Sequence, residues 1–141
     1  MYGKLGHGNE NGCSTPKRVE ALSELNIALI ACGSRHTAVV TSTGRLYSWG
    51  DKENGVAGHG DNEGHQYTPK LLEKLKDETI VQLSACGFHT GCITKDGEVF
   101  TWGEGKILLI FNDYNITYNC IQICIIFCTK NDTTFSFVVN F

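Results

Sequence analysis

Two histidines, each followed by threonine, are the residues of this 141-residue chain best suited to proton transfer: His36-Thr37 and His89-Thr90. An imidazole titrates near neutral pH, and beside a hydroxyl it can act as a general base. That chemistry needs a third group to orient the base, and no Ser/His/Asp or Cys/His set with such a partner accompanies either histidine. No paired-carboxylate motif is present either. A catalytic pair spaced 53 residues apart would be a coincidence of repetition, whereas a histidine that bonds a neighbouring backbone would recur with its repeat. The sequence therefore implies no catalytic residue and gives His36 and His89 a structural role.

The thiols and glycine loops lead to a similar conclusion. Cys32 and Cys86 both sit between alanine and glycine, Ala31-Cys32-Gly33 and Ala85-Cys86-Gly87, and read as small buried core residues. Neither has a second cysteine at zinc-ligand spacing. Cys120, Cys124 and Cys128 are four apart, yet their segment is too β-branched and aromatic to favour the helix that would align them. No metal is implied. The N-terminus has no secretory pattern, so reduced, mostly buried thiols and a cytoplasmic or nuclear setting are expected. Gly3-Lys4-Leu5-Gly6-His7-Gly8 and Gly55-Val56-Ala57-Gly58-His59-Gly60 could cradle an anion on their amides. Their spacing fits neither a Walker loop nor a dinucleotide fingerprint, and their recurrence points to turns rather than a cofactor site. A net charge of -3, with Lys17-Arg18 isolated and Lys70 to Lys76 diluted by Glu73, Asp77 and Glu78, argues against nucleic-acid binding.

The elements that carry these residues follow from an internal repeat. Thr15-Pro16-Lys17 recurs as Thr68-Pro69-Lys70, Gly44 as Gly97 and Trp49-Gly50 as Trp102-Gly103, all at an offset of 53. Gly6 and Gly8 match Gly58 and Gly60 at 52, and Gly33 matches Gly87 at 54. Ile27 to Cys32, His36 to Thr41 and Leu46 to Trp49 are short β-branched or aromatic runs, as are Ile80 to Cys86, Thr90 to Thr94 and Glu98 to Trp102. Thr43-Gly44 and Asp96-Gly97 predict hairpins between the second and third strands. Arg18 to Leu22 and Leu71 to Leu75 supply a fourth strand, with the proline suited to a sheet edge. Four strands in about 53 residues is the period of a propeller blade. Trp49 and Trp102 are expected to fill the apolar contact between adjacent blades. Ala38 and Gly91 are expected to be small because their strand crowds the propeller axis.

The strings Cys32-Gly33-Ser34-Arg35-His36-Thr37, Gly44-Arg45-Leu46-Tyr47-Ser48-Trp49-Gly50 and Gly58-His59-Gly60 closely resemble repeats of the regulator of chromosome condensation (RCC1-type) family. So does the second copy from Cys86 to Gly103. The resemblance covers Tyr2 to about Lys106 and implies an all-β fold, about two four-stranded blades of a seven-bladed propeller. It also implies a protein partner. Some members exchange guanine nucleotide on a small GTPase; others are interaction platforms within HECT-type ubiquitin ligases, kinases or trafficking regulators. Light-sensing members carry tryptophan in a Gly-Trp-Arg-His-Thr motif, and Ser34 and Phe88 fall there in this chain, which argues against photoreception.

Residues 1–106 are thus read as two repeats and 107–141 as an unrelated tail. All sixteen glycines and both prolines precede Lys106. The third glycine loop expected near Leu108 is missing, as is Thr-Pro near Ile121-Gln122, and the tail's Ile, Phe, Asn, Tyr and Thr suggest translated non-coding sequence. Its apolar core is shorter than the roughly 20 residues of a spanning helix. A run from Cys120 to Phe127 could instead cover an open blade edge as a strand. Three functional readings follow: an interaction module from a larger multidomain regulator, part of a nucleotide exchange factor, or a truncated product without independent activity.

Overall fold

The computed structural model describes residues 1–60 and 64–104, together with the backbone of 137–139. Strands β1 (Ile27–Cys32), β2 (His36–Thr41), β3 (Leu46–Asp51) and β4 (His65–Leu71) form one sheet in that order. β5 (Ile80–Cys86), β6 (His89–Thr94) and β7 (Val99–Gly103) repeat the first three in a second sheet. All of these neighbours are antiparallel. A three-residue strand, β8 (Phe137–Val139), lies parallel to β7. It occupies the place beside β7 that β4 takes beside β3, but in the opposite direction. The tail residues 107–136, including the run from Cys120 to Phe127, lie outside the described residues.

Short loops set the hairpins. The Gly44 N–H bonds the Thr41 carbonyl at 2.9 Å, and the Gly97 N–H bonds that of Thr94 at 3.0 Å. Each glycine then turns left-handed, with φ of +81° and +87°, as three-residue hairpin loops require. The threonine closes the turn a second time: its Oγ1 accepts the Arg45 N–H in one blade and the Glu98 N–H in the other, both at 3.1 Å.

The fourth strand differs from expectation. It runs through Thr68-Pro69 rather than after it, and the residues assigned to it form 3-10 turns at Glu20–Leu22 and Glu73–Leu75. The reason is apolar spacing: Leu72 and Leu75, three apart, both turn into the core at 3% and 6% exposure, which a strand's alternation would forbid. Pro69 sits on the outer strand, where a missing N–H leaves no ladder bond unmade. The equivalent segment of the first unit, residues 12–18, forms no ladder among the described residues.

The core lies between the sheets. Ala38, Val40 and Leu46 from the first meet Leu72, Leu75, Ile80 and Cys92 from the second unit. Each large aliphatic buried there contributes about 1.5–3 kcal/mol. β1 lies beside β5, so the first strand of each blade is innermost. Ala38 and Gly91 therefore stand one strand further out than expected, and Ala38 is small because it packs in this inter-sheet core, at 0% exposure.

Candidate interaction face

Each glycine loop is fastened to the blade that follows it by one carbonyl. The Lys4 carbonyl accepts the Trp49 indole N–H at 2.8 Å and the Thr37 hydroxyl at 2.9 Å. In the second unit the Val56 carbonyl accepts Trp102 at 3.1 Å and Thr90 at 3.2 Å. Val56 lies in the loop between β3 and β4 of the first sheet, so that loop is pinned to the second blade. The glycines make this approach possible: a Cβ on Gly6 would stand 2.8 Å from the Trp49 Nε1, and one on Gly58 would stand 2.7 Å from that of Trp102. Gly8 and Gly60 complete the loops with φ of +83° and +81°. Trp49 is buried at 3% exposure, whereas Trp102 is half-buried.

His36 ties the blades together. Its Nε2 lies 2.6 Å from the Thr90 Oγ1. That hydroxyl spends its only proton on Val56, so His36 must donate from Nε2. Its Nδ1 is then a bare acceptor, buried without a partner. The residue is 0% exposed, and its pKa falls from 6.5 to about 4, first through desolvation, with Asp51 opposing the shift and His89 adding to it. A Cβ on Gly33 would collide with this ring. His89 does not reach across blades; its Nε2 meets the Glu104 carbonyl at 2.6 Å. Gly50 and Gly103 run against the backbones of Arg35 and Phe88, too close for any side chain.

The cysteines depart from their expected role. Cys32 is exposed and Cys86 only half-buried. The ladder pairs Cys32 with Thr37 but Ala85 with Thr90, and Cys86 with His89. The turn Gly87-Phe88 is one residue shorter than Gly33-Ser34-Arg35, so the two Ala-Cys-Gly triplets stand one rung out of step and present opposite faces. Cys13 and Cys32 carry free thiols. Among the described cysteines Cys92, which the sequence did not single out, is the core thiol, at 2% exposure.

At the end of the blades that carries the glycine loops, a polar and aromatic cluster gathers that repeat matching did not identify. The Arg35 guanidinium stacks between Tyr2 and Phe88, 4.4 and 5.1 Å from their ring centroids. Its Nη1 lies 3.3 Å from Asp51 and 3.5 Å from Glu53. Asp51, 1% exposed, also faces His65 Nδ1 at 3.3 Å, and His65 reaches Glu10 at 3.5 Å. The Tyr67 hydroxyl donates to the same Glu10 carboxylate. Tyr2 adopts φ of +68° at the position where the second unit has Asn54 at +58°, a conformation asparagine tolerates more readily than tyrosine. Among the described residues no group of three or more His, Cys, Asp or Glu could hold a metal, and no helix is long and apolar enough to cross a membrane.

Two blades with recurring Trp and Thr bonds to their loop carbonyls, joined by His36, make this chain part of a β-propeller of repeated units. The profile of the Regulator of chromosome condensation (RCC1) repeat matches residues 1–40 and 43–93, and a second such profile matches 27–56. The chain belongs to the RCC1 repeat family. It is 39% identical over 116 residues to the human E3 ubiquitin-protein ligase HERC2, a match covering 82% of this chain and 2% of that protein. It is 37% identical over 105 residues to the Ultraviolet-B receptor UVR8 of Arabidopsis thaliana, covering 74% of this chain and 24% of the receptor. The chain thus spans a small part of these relatives. Among solved structures, Prp20p from Saccharomyces cerevisiae superposes with a TM-score of 0.62 at 24% identity, over 72% of this chain and 26% of that one. This last likeness supports the fold.

Proposed function

We propose that residues 1–106 act as a protein-interaction module within a larger RCC1-type propeller, and that the face around Arg35 makes the contact. The observation that carries this is composition. The residues matching between repeats are engaged in staples, whereas Tyr2, Arg35, Phe88 and Tyr67, types enriched at protein interfaces, collect at one end and remain partly accessible. The solved relative Prp20p is described as binding Gsp1p and histones, which supports a protein as the class of partner. Catalysis is not required of this segment; in relatives that are ligases, the chain matches only a small fraction of the protein.

The test is proximity labelling with the longest protein that contains these repeats, comparing wild type with the Tyr2→Ala/Arg35→Ala double variant. Loss of a defined partner set at equal expression and equal thermal midpoint supports the module. Identical partner sets and affinities overturn it. Acceleration of nucleotide release from a small GTPase would move the assignment to an exchange factor.

A further inference from the structure

Asparagine precedes glycine at two places in the chain, Asn11-Gly12 and Asn54-Gly55. Such a pair can convert itself, because glycine has no side chain to keep its backbone nitrogen away from the asparagine carboxamide. The fold must then allow three things: a glycine N–H not held in a hydrogen bond, access for water, and a backbone that can bring the glycine nitrogen against the asparagine Cγ.

Asn54-Gly55 meets only the second condition. Asn54 is exposed, but its φ and ψ of 58° and 16° turn the Gly55 nitrogen away from Cβ, whereas ring closure needs the two nearly eclipsed. The Gly55 N–H is engaged as well, donating to the Lys52 carbonyl at 3.0 Å. Rotation into the reactive geometry would undo this turn and disturb Val56, whose carbonyl holds Trp102 and Thr90.

Asn11-Gly12 differs on each count. Both residues are exposed and belong to no strand or turn. The Asn11 N–H donates to the Asn9 Oδ1 at 2.9 Å, and among the described residues no carbonyl accepts the Gly12 N–H. A Cβ on Gly12 would meet nothing within 4 Å, so the segment has room to rotate. A neighbouring blade does not close this position: Gly64, 53 residues later in the unit that has a blade before it, is also exposed, with nothing within 4 Å of a Cβ.

We propose that Asn11 is a site of spontaneous deamidation in the folded protein, with water as the co-reactant, and that Asn54 is spared. The Gly12 nitrogen gives its proton to solvent and attacks the Asn11 Cγ. The N–Cγ bond forms, the Cγ–Nδ2 bond breaks, and ammonia leaves with a proton returned from solvent. Water then adds to either carbonyl of the cyclic imide and opens it, leaving aspartate or an isoaspartyl linkage in which the backbone runs through Cβ and Cγ. Either product sets a new carboxylate beside Glu10, whose own carboxylate reaches His65 at 3.5 Å and Tyr67 at 3.3 Å at the edge of the Arg35 face.

The full chain, incubated at mildly alkaline pH and body temperature, is sampled over time, digested and analysed by mass spectrometry with electron-transfer fragmentation, which separates aspartate from isoaspartate. Deamidation should run about tenfold or more faster at Asn11 than at Asn54, since only the former can reach the attacking geometry. In denaturant, where neither pair keeps its fold, the two rates should converge. Gly12→Ala, whose methyl has open space in the fold, should slow the reaction at Asn11 by about tenfold at an unchanged thermal midpoint. Equal rates at the two sites of the folded chain, faster loss at Asn54, or Gly12→Ala reacting as fast as wild type would each overturn the proposal. The readout is chemical, so its outcome is independent of whether the Arg35 face binds a partner.

Discussion

Replacing His36 with glutamine should remove most of the acid sensitivity of the fold. In the native chain the imidazole is held neutral, its pKa lowered from 6.5 to about 4, because desolvation disfavours the cation and Nδ1 has no acceptor for a second proton. In the unfolded chain the same residue titrates near 6.5. Between these values the unfolded state binds the extra proton. The stability contributed by neutral His36 is therefore fully present above about pH 6.5, falls as pH drops through the window, and stops falling below about 4. A gap of about 2.5 pH units at ~1.4 kcal/mol each makes a total loss of about 3 kcal/mol. For a domain near 100 residues that is on the order of 15 °C in midpoint.

Glutamine places an amide N–H near the position of the His36 Nε2, so the bond to Thr90 can persist without a titrating group. Urea unfolding followed by circular dichroism at pH 7, 6, 5 and 4.5 measures the slope directly. Carboxylates steepen the acid limb of both proteins, so the informative quantity is the difference between them. Wild type should lose stability faster than His36→Gln by up to ~1.4 kcal/mol per pH unit in the middle of the window. Parallel curves would refute the reasoning and mean that His36 is protonated in the fold or hydrated in a way the buried geometry does not provide.

Three further perturbations probe the remaining contacts. Thr90→Val keeps the volume but strands the His36 Nε2 proton, while the Val56 carbonyl keeps its bond from Trp102, and should lower unfolding free energy by about 1–3 kcal/mol, read as a shift in denaturant midpoint with unchanged slope. Gly58→Ala should destabilise the fold clearly more than Gly97→Ala: both require positive φ, costing about 1 kcal/mol, but only the former drives a methyl to within 2.7 Å of the Trp102 indole. Near-UV circular dichroism should report displacement of that indole in Gly58→Ala alone. Arg35→Met should cost roughly 1 kcal/mol through its half-exposed ion pairs and cation–π contacts, while Glu53→Gln leaves the thermal midpoint nearly unchanged.

The strands and hairpins were legible because the pattern that encodes them occurs twice. Matching Gly44 to Gly97 and Trp49 to Trp102 located turns and ladders without any tertiary information, and β1 and β2 fall on the expected residues. The fourth strand was misplaced because Leu72 and Leu75 read as strand residues by type, whereas a 3-10 turn lets both face the core. Cys32 misled for a related reason. A single-residue difference in turn length, invisible when the Ala-Cys-Gly triplets are aligned, changes which face of the sheet a side chain occupies. The Arg35 cluster was not found since it has no sequence signal of its own: Tyr2, Asp51 and His65 are far apart in the chain and come together only when β4 pairs with β3 and the N-terminal loop packs beside them.

That failure also indicates where specificity resides. Where the two units agree, the side chains are consumed by equivalent joints: Thr37 with Thr90 and Trp49 with Trp102, each on its loop carbonyl. Such positions leave little freedom for a partner to select, because changing them unfastens a blade. Where the units differ, the residues lie at the loop end and engage one another through longer, partly exposed contacts: Tyr2 where the other unit has Asn54, Arg35 where it has Phe88, Tyr67 where it has Ser14. Such contacts stabilise the fold weakly and can exchange for contacts to another protein at small net cost. A repeat fold that fixes its shape with identical residues thus keeps recognition for the positions at which its repeats diverge, and alanine substitutions at divergent positions should separate binding from folding where substitutions at shared positions cannot.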